Sequence, residues 1–366
     1  MSQADHPIFD PESREPTDGP FSREEVRLAN RNAGTLLETL RHDLTPPGLH
    51  YLLTHFDVPY VPAAASWTLD IGGLVEKPLQ MRLDELKRCP ERTLRVTLEC
   101  AGNGRAAMTP RWQAQPWHHE AVGTAEWTGT PLRPLLERAG IAAGARDIVF
   151  HGADRGFDGG VEHNYGRSLS PAQALSDDVL LAWAMNGAPL PPQHGFPLRL
   201  VVPGWYGMAS VKWLNRIEAV DRPFDGFQQV RTYIYRRQAD EPGIPVTTMR
   251  VKSLIVPPGI PDWYTRRRLV ERGPVELFGR AWSGAGVPIA KVEVAVDGQW
   301  QQAVLDPPAG RYSWRGWRCQ WHAAPGEHDL ACRATDANGD TQPIEQRYDR
   351  GGFGNNAVHR VEVTVR

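Results

Sequence analysis

The sequence predicts an α+β domain followed by an all-β sandwich. Three observations carry this. Between residues 45 and 240, short alternating β-rich runs are interleaved with short helical segments. Beyond residue 240 the helical signals stop, and short strands recur with Asp297-Gly298 and Asn338-Gly339 as hairpin-type turns. The 32 Pro and 35 Gly disfavour long helices throughout. At 366 residues the chain is long enough for two domains.

Residues 1–44 read as a polar arm laid over the main domain. Ser22-Arg23-Glu24-Glu25 starts a helix there, with Ser as cap and acids in the first turn. Trp67 to Val75 reads as a strand ending in a glycine turn, and Leu83 to Leu86 as a short helix. Thr93 to Leu98 alternates and reads as a strand. Pro131 to Gly140 is a helix closed by Gly, and Asp147 to Asp154 a strand running into a turn. The composition turns polar around Arg236–Val246, with Pro242, Gly243 and Pro245, which sets the boundary at 240/241. The following strands are Val275–Trp282, Ile289–Val296, Trp317–Trp321 and His328–Ala334, the pattern of an immunoglobulin-like sandwich over residues 241–366.

Composition narrows the function. A formal charge of −2 with 23% charged residues leaves no nucleic-acid footprint, and no apolar run has membrane-spanning length. Cys89, Cys100, Cys319 and Cys332 form no Cys-x-x-Cys pair, which argues against structural zinc. Cys319 and Cys332 are placed to be hairpin partners, but two reduced buried thiols is the preferred reading. Met1 to Pro7 has no basic region, apolar core or twin arginine. The expectation is a cytoplasmic protein, or a periplasmic one if a leader has been removed.

The chemistry concentrates at Thr97-Leu98-Glu99-Cys100-Ala101-Gly102-Asn103-Gly104-Arg105. A strand that delivers a Cys into a Gly/Asn turn holds its sulfur beside close-approaching backbone. A thiolate there is a nucleophile or a soft metal ligand, and the Arg105 fork suits an oxyanion. The plain alternative is a small buried Cys beside an ordinary turn.

Cys100-Ala101-Gly102-Asn103 followed by Arg105 resembles the molybdenum-binding signature of the sulfite oxidase family, which includes sulfite dehydrogenases and assimilatory nitrate reductases. Further segments agree. Leu180 to Gly187 is similar to the family's Leu-Leu-Ala-aromatic-x-Met-Asn-Gly. His194 to Arg199 is similar to its His-Gly-aromatic-Pro-x-Arg, and Val211 to Leu214 to its Val-Lys-Trp-Leu. The resemblance spans about residues 45–366. It implies a molybdopterin-binding domain followed by an immunoglobulin-like dimerisation domain, hence a homodimer. Residue by residue, it implies Cys100 as the metal ligand. It implies His55, Thr54, Asp154, His194, Arg199, Ser210, Val211 and Lys212 as cofactor-binding residues. Arg105, Tyr233 and Trp117 would form the substrate pocket. Taken alone, His55 also reads as a structural histidine, Asp154 as a turn former, and Trp117 and Tyr233 as packing residues.

The implied activity is oxidation of sulfite to sulfate by oxygen-atom transfer at the molybdenum centre. Without a haem-binding domain or a Cys-x-x-Cys-His site, electrons would pass to an external acceptor such as cytochrome c. Two departures qualify this. The family's substrate-binding Arg falls on Leu53, with its neighbouring Asn on Thr54, and the Asp usual before the active-site Tyr is Thr232. Losing one charged contact to a desolvated oxyanion costs on the order of a few kcal/mol. Sulfite then binds weakly, or another residue such as Arg111 substitutes, or the substrate is less charged; the alternative activity is on another small sulfur or nitrogen oxide, nitrate included. A non-catalytic cofactor-binding protein is the remaining alternative.

Overall fold

A computed structural model describes residues 15–366. The first part of the expected arm, and the leader reading that rests on Met1 to Pro7, lie outside the described residues. Helix α1 (Arg23–Arg31) starts where expected. The Ser22 hydroxyl accepts from the Glu25 amide at 3.2 Å, and the Glu25 carboxylate accepts from the Ser22 amide at 2.7 Å.

The first domain has two sheets. Strands β1 (Thr68–Gly73), β2 (Leu79–Arg82), β5 (Asp147–Asp158), β6 (Val161–Leu169) and β10 (Leu214–Val220) form one, in the order β2-β1-β10-β5-β6. Strands β3 (Arg92–Glu99), β4 (Val122–Pro131), β7 (Leu180–Met185) and β8 (Ala188–Pro189) form the other, with β9 (Arg199–Val201) also paired to β7. The β3–β4 pairing sets Glu99 opposite Val122, so Cys100 emerges at the end of the sheet's edge strand. Helix α2 (Leu83–Leu86) and helix α3 (Arg133–Ala139) lie where the periodicity placed them, and α3 ends on Gly140 at φ +69°. The hairpin partner β6 and the single helical turn Phe227–Val230 were not anticipated.

The second domain is a sandwich. One sheet joins Lys252–Ile255, Gly273–Trp282, Arg315–Ala323 and Val304–Leu305; the other has six strands ending at His359–Val365. Asp297 (φ +49°) and Gly298 (φ +79°) form the expected tight hairpin turn. Cys319 and Cys332 face the sandwich core as free thiols. Among the described residues no helix is long and apolar enough to cross a membrane.

The two domains interlock around β3. Thr97 donates its amide to Tyr312 O at 2.9 Å, and its hydroxyl accepts from the Trp314 amide at 2.7 Å. The segment 349–356 leaves the sandwich and returns to the turn after Cys100. There the Gly354 amide donates to Ala101 O and Asn355 Nδ2 to Gly104 O. A short strand pair, Ile234–Tyr235 with Ile244–Pro245, spans the compositional boundary at 240/241, and the structure around Cys100 is built from both sides of it.

Candidate active site

Cys100 is 6% exposed, at the end of β3. Its amide donates to Ala121 O, and its carbonyl accepts from the Asn103 amide, both at 2.9 Å. Asn103 braces the turn, accepting from the Ala121 amide and donating to Glu99 Oε1, each at 3.0 Å. At Gly102 a Cβ would lie 2.6 Å from the Arg105 guanidinium, which folds back over the turn and would have to move. Gly104 takes φ +95°, and a Cβ there would meet Asn355.

The sulfur opens into a cavity of about 670 Å³, mouth included. Of the residues expected to bind a cofactor, His55, Asp154, His194, Arg199, Ser210 and Lys212 line it. Its wall also carries His50, Tyr51 and Tyr165, which nothing in the sequence motifs singled out. Two expectations shift. The Val211 side chain packs into the core, leaving only its backbone between Ser210 and Lys212. Thr54 lies outside this cavity because its amide donates to Asn32 Oδ1 at 2.8 Å and its hydroxyl accepts from Arg31 Nε at 3.3 Å, turning it toward the arm.

Positive charge in the cavity exceeds its compensation. The buried Arg199 guanidinium donates to His194 O (2.9 Å) and Ser210 O (3.1 Å) and has no carboxylate partner among the described residues. Lys212 Nζ donates to Leu53 O (2.8 Å) and Gln193 O (2.9 Å). Burial pulls Arg199 down to about 10. Burial and the Arg199 charge pull Lys212 down to about 7. Among the described residues Asp154 is the one carboxylate in the lining, and burial pushes it up to about 6 against the Lys212 ammonium. A cavity with two strained cations and one reluctant anion suits an anionic, polar-edged ligand.

The sulfur has a parallel need. Burial raises the Cys100 thiol, opposed by the Arg105 charge, the Gly102 amide and the Trp117 indole N–H. Trp117 Nε1 is buried and within the described residues has no hydrogen-bond partner. A metal-bound thiolate supplies both the acceptor this N–H lacks and the cation the buried sulfur lacks. The residues present thus fit a thiolate-ligated metal on an anionic organic cofactor: Cys100 for the metal, and Lys212, Arg199, His194, Ser210 and Asp154 for the organic part.

A funnel of about 1500 Å³, mouth included, leads from solvent to Cys100 and shares Leu53, His55, Cys100 and Tyr233 with the cavity. Tyr233 has φ +55°, a conformation that costs a non-glycine residue on the order of 1 kcal/mol or more. This backbone twist turns its ring inward, so the hydroxyl lies 2.8 Å from His55 Nε2. Burial raises the Tyr233 phenol and lowers the His55 imidazole to about 3, although cavity solvent reaches the ring. The pair is therefore neutral, a phenolic donor beside an imidazole.

Arg105 reaches the funnel, with Nε donating to Gly351 O at 3.0 Å and Nη1 to Gln115 O at 3.1 Å. Arg111 does not substitute for the residue missing at position 53. It is buried, ion-paired to Glu25 at 3.2 Å and bonded to the carbonyls of Gly19 and Pro20, where it ties down the arm. Trp117 does not line the funnel either. Its carbonyl accepts from the Ala106 amide and its amide donates to Gln115 O, which directs the ring behind Cys100; Trp112 forms the funnel wall instead. Beside Leu53 the funnel receives Arg31 from α1, held by Thr54 Oγ1 and Phe56 O and paired with the exposed Asp57. Leu28, Leu53, Phe56, Phe157 and Phe353 give the wall apolar surface, and Glu24, Arg27 and Asp158 add charge of both signs.

Comparison with known proteins agrees with this geometry. The model of an oxidoreductase molybdopterin binding domain matches residues 55–228, and that of a Mo-co oxidoreductase dimerisation domain matches residues 244–366. Nitrate reductase [NADH] 2 of Phaseolus vulgaris is 33% identical over 93% of this chain and 42% of its own length. Nitrate reductase [NADH] of Solanum lycopersicum is 32% identical over 93% of this chain and 41% of its own. The chain thus spans about two fifths of the length of these curated relatives. The sulfane dehydrogenase SoxCD of Paracoccus pantotrophus superposes with a TM-score of 0.78 at 27% identity, covering 91% of this chain and 86% of that one.

Proposed function

The chain belongs to the sulfite-oxidase-type family of molybdopterin-dependent oxidoreductases, and on that premise we propose that it oxidises sulfite to sulfate and passes the electrons to an external acceptor such as a cytochrome c. The observation that supports this most is the convergence of the Cys100 sulfur, the Tyr233 hydroxyl and two guanidiniums, Arg105 and Arg31, on one funnel.

The bound molybdenum cofactor supplies the two-electron centre and the exchangeable oxygen. The protein's part is positional. Cys100 would hold the metal, with its thiolate steadied by the Trp117 N–H and the Gly102 amide. Lys212 and Arg199 would neutralise the cofactor's anionic end, with His194, Ser210 and Asp154 meeting its polar edges. Arg105 and Arg31 would bind the substrate oxyanion and orient it toward Cys100. Tyr233 keeps its proton at neutral pH and would donate it as a hydrogen bond to bound substrate, with the Nε2–H tautomer of His55 donating to the phenol oxygen and fixing its direction.

Leu53 supports a second reading, in which the substrate is a different small sulfur or nitrogen oxide. The nitrate reductase relatives point the same way. A single molybdenum-loaded preparation tests both: saturable sulfite-dependent reduction of ferricyanide supports the first. Reduction of nitrate by a reduced dye, without sulfite turnover, replaces it with the second.

A further inference from the structure

A second pocket of about 950 Å³, mouth included, lies beside the funnel and shares only Trp112, Thr232 and Phe353 with it. Cys100 does not line it. Three guanidiniums do, Arg231, Arg236 and Arg350, and among the described residues no carboxylate is in the lining. Arg350 stacks over the Trp112 ring at 5.0 Å and is neutralised from the rim by Glu15 at 3.0 Å. Arg231 sits 5.6 Å over the Phe227 ring, and neither it nor Arg236 has an acidic partner among the described residues. Arg236 Nη2 donates to Val230 O at 3.3 Å, but its Nε is buried without a partner, as is Thr232 Oγ1.

Buried unpartnered donors cost free energy, and two unpaired guanidiniums repel each other. An anion entering the pocket would relieve both. The walls narrow its class further. Trp112, Phe227, Ile234 and Phe353 offer aromatic and aliphatic surface in place of the polar cage a bare oxyanion needs. Two unpaired guanidinium charges match a dianion better than a single carboxylate.

We propose that this pocket binds an organic phosphate: a phosphoryl group held by Arg231, Arg236 and the Thr232 hydroxyl, on an apolar or aromatic body packed against Trp112, Phe227 and Phe353. It is a site separate from the one that would hold the molybdenum cofactor, and it does not depend on which oxide is turned over at Cys100. An occupant would touch the funnel only through the shared residues.

The test is calorimetric titration of the holoenzyme with phenyl phosphate, alongside benzoate and sulfate. The expected result is saturable binding of phenyl phosphate, about tenfold or more tighter than either comparison ligand. Arg231→Ala and Arg236→Ala should each weaken it about tenfold. Arg231 is exposed and without an ion pair among the described residues, so its variant should keep the wild-type unfolding midpoint. Sulfate binding as tightly as phenyl phosphate would overturn the organic part of the assignment, and benzoate binding more tightly would overturn the dianion. Absence of saturable phenyl phosphate binding, or affinity unchanged in both variants, would overturn the site.

Discussion

Lys252 Nζ lies 3.0 Å from Glu99 Oε1, and the two side chains are 1% and 2% exposed. Lys252 belongs to the first strand of the sandwich and Glu99 precedes Cys100. Lys252 also donates to Asn103 O and Asn355 O, and Trp282 Nε1 donates to Glu99 Oε2 at 2.9 Å. One sealed network thus joins the second domain to both sides of the cysteine turn. Removing one partner leaves the other charge buried, so Lys252→Ala should lose about 3–5 kcal/mol of stability. The double variant Lys252→Met with Glu99→Gln should recover part of it. Urea unfolding of the three proteins measures this; a Lys252→Ala midpoint equal to wild type would show that the pair does not hold the domains.

Tyr233→Phe keeps the ring that packs 5.2 Å from Phe353 and removes only the hydroxyl facing His55. We expect kcat to fall on the order of a hundredfold with the thermal midpoint little changed. Steady-state kinetics beside calorimetric melting separates this from a packing role, in which the midpoint would fall and kcat would hold.

Arg31 stands in the funnel beside Leu53, held by Thr54 and Phe56. Truncating it should raise KM for sulfite about tenfold while kcat changes less. Arg31→Lys, which keeps the charge, should restore part of the loss. Equal KM values in wild type and Arg31→Ala would return the anion site to Arg105 alone.

Lys212 has a sign that can be worked out. Its folded value is about 7, below the unfolded value of roughly 10.4. Between these the unfolded chain binds more protons, so stability rises with pH. The raised Cys100, Cys319 and Cys332 thiols oppose the trend only above roughly 8.5, where unfolded thiols ionise. The His328–Asp297 pair, which raises His328, loses its contribution as pH climbs, but Asp297 is about half exposed and the pair is solvent-screened. Cofactor-free protein should therefore melt at a higher temperature at pH 8.5 than at pH 7. Bound cofactor, by stabilising the Lys212 ammonium, should flatten the slope. A midpoint that falls across this window contradicts the assignment.

Much of the site was legible because its parts are local. Cys100 and Arg105 sit in one glycine turn, and His194, Arg199 and Lys212 fall within one short stretch whose residue types suit a buried anion. What was not legible comes from distance along the chain. Arg31 meets Thr54 through the docking of an arm helix, and Arg105 meets Gly351 across 246 positions. Lys252 has no local pattern to distinguish it from a surface lysine. Arg111 looked available because it is basic and close in sequence to Cys100, yet its partner Glu25 lies 86 positions away. Trp117 and Trp112 could not be told apart, since a short backbone turn decides which ring faces the funnel. The fold class followed from periodicity and turn residues, but the return of residues 349–356 to the first domain crosses the compositional boundary that marked the domains.

The central claim is that Cys100 holds the metal. Molybdenum-edge X-ray absorption of the holoenzyme and of Cys100→Ser tests it without relying on turnover. The account predicts a thiolate sulfur bound to molybdenum beyond the pair contributed by the cofactor, and its loss in the serine variant with the pterin still bound. An unchanged sulfur shell in Cys100→Ser would contradict it.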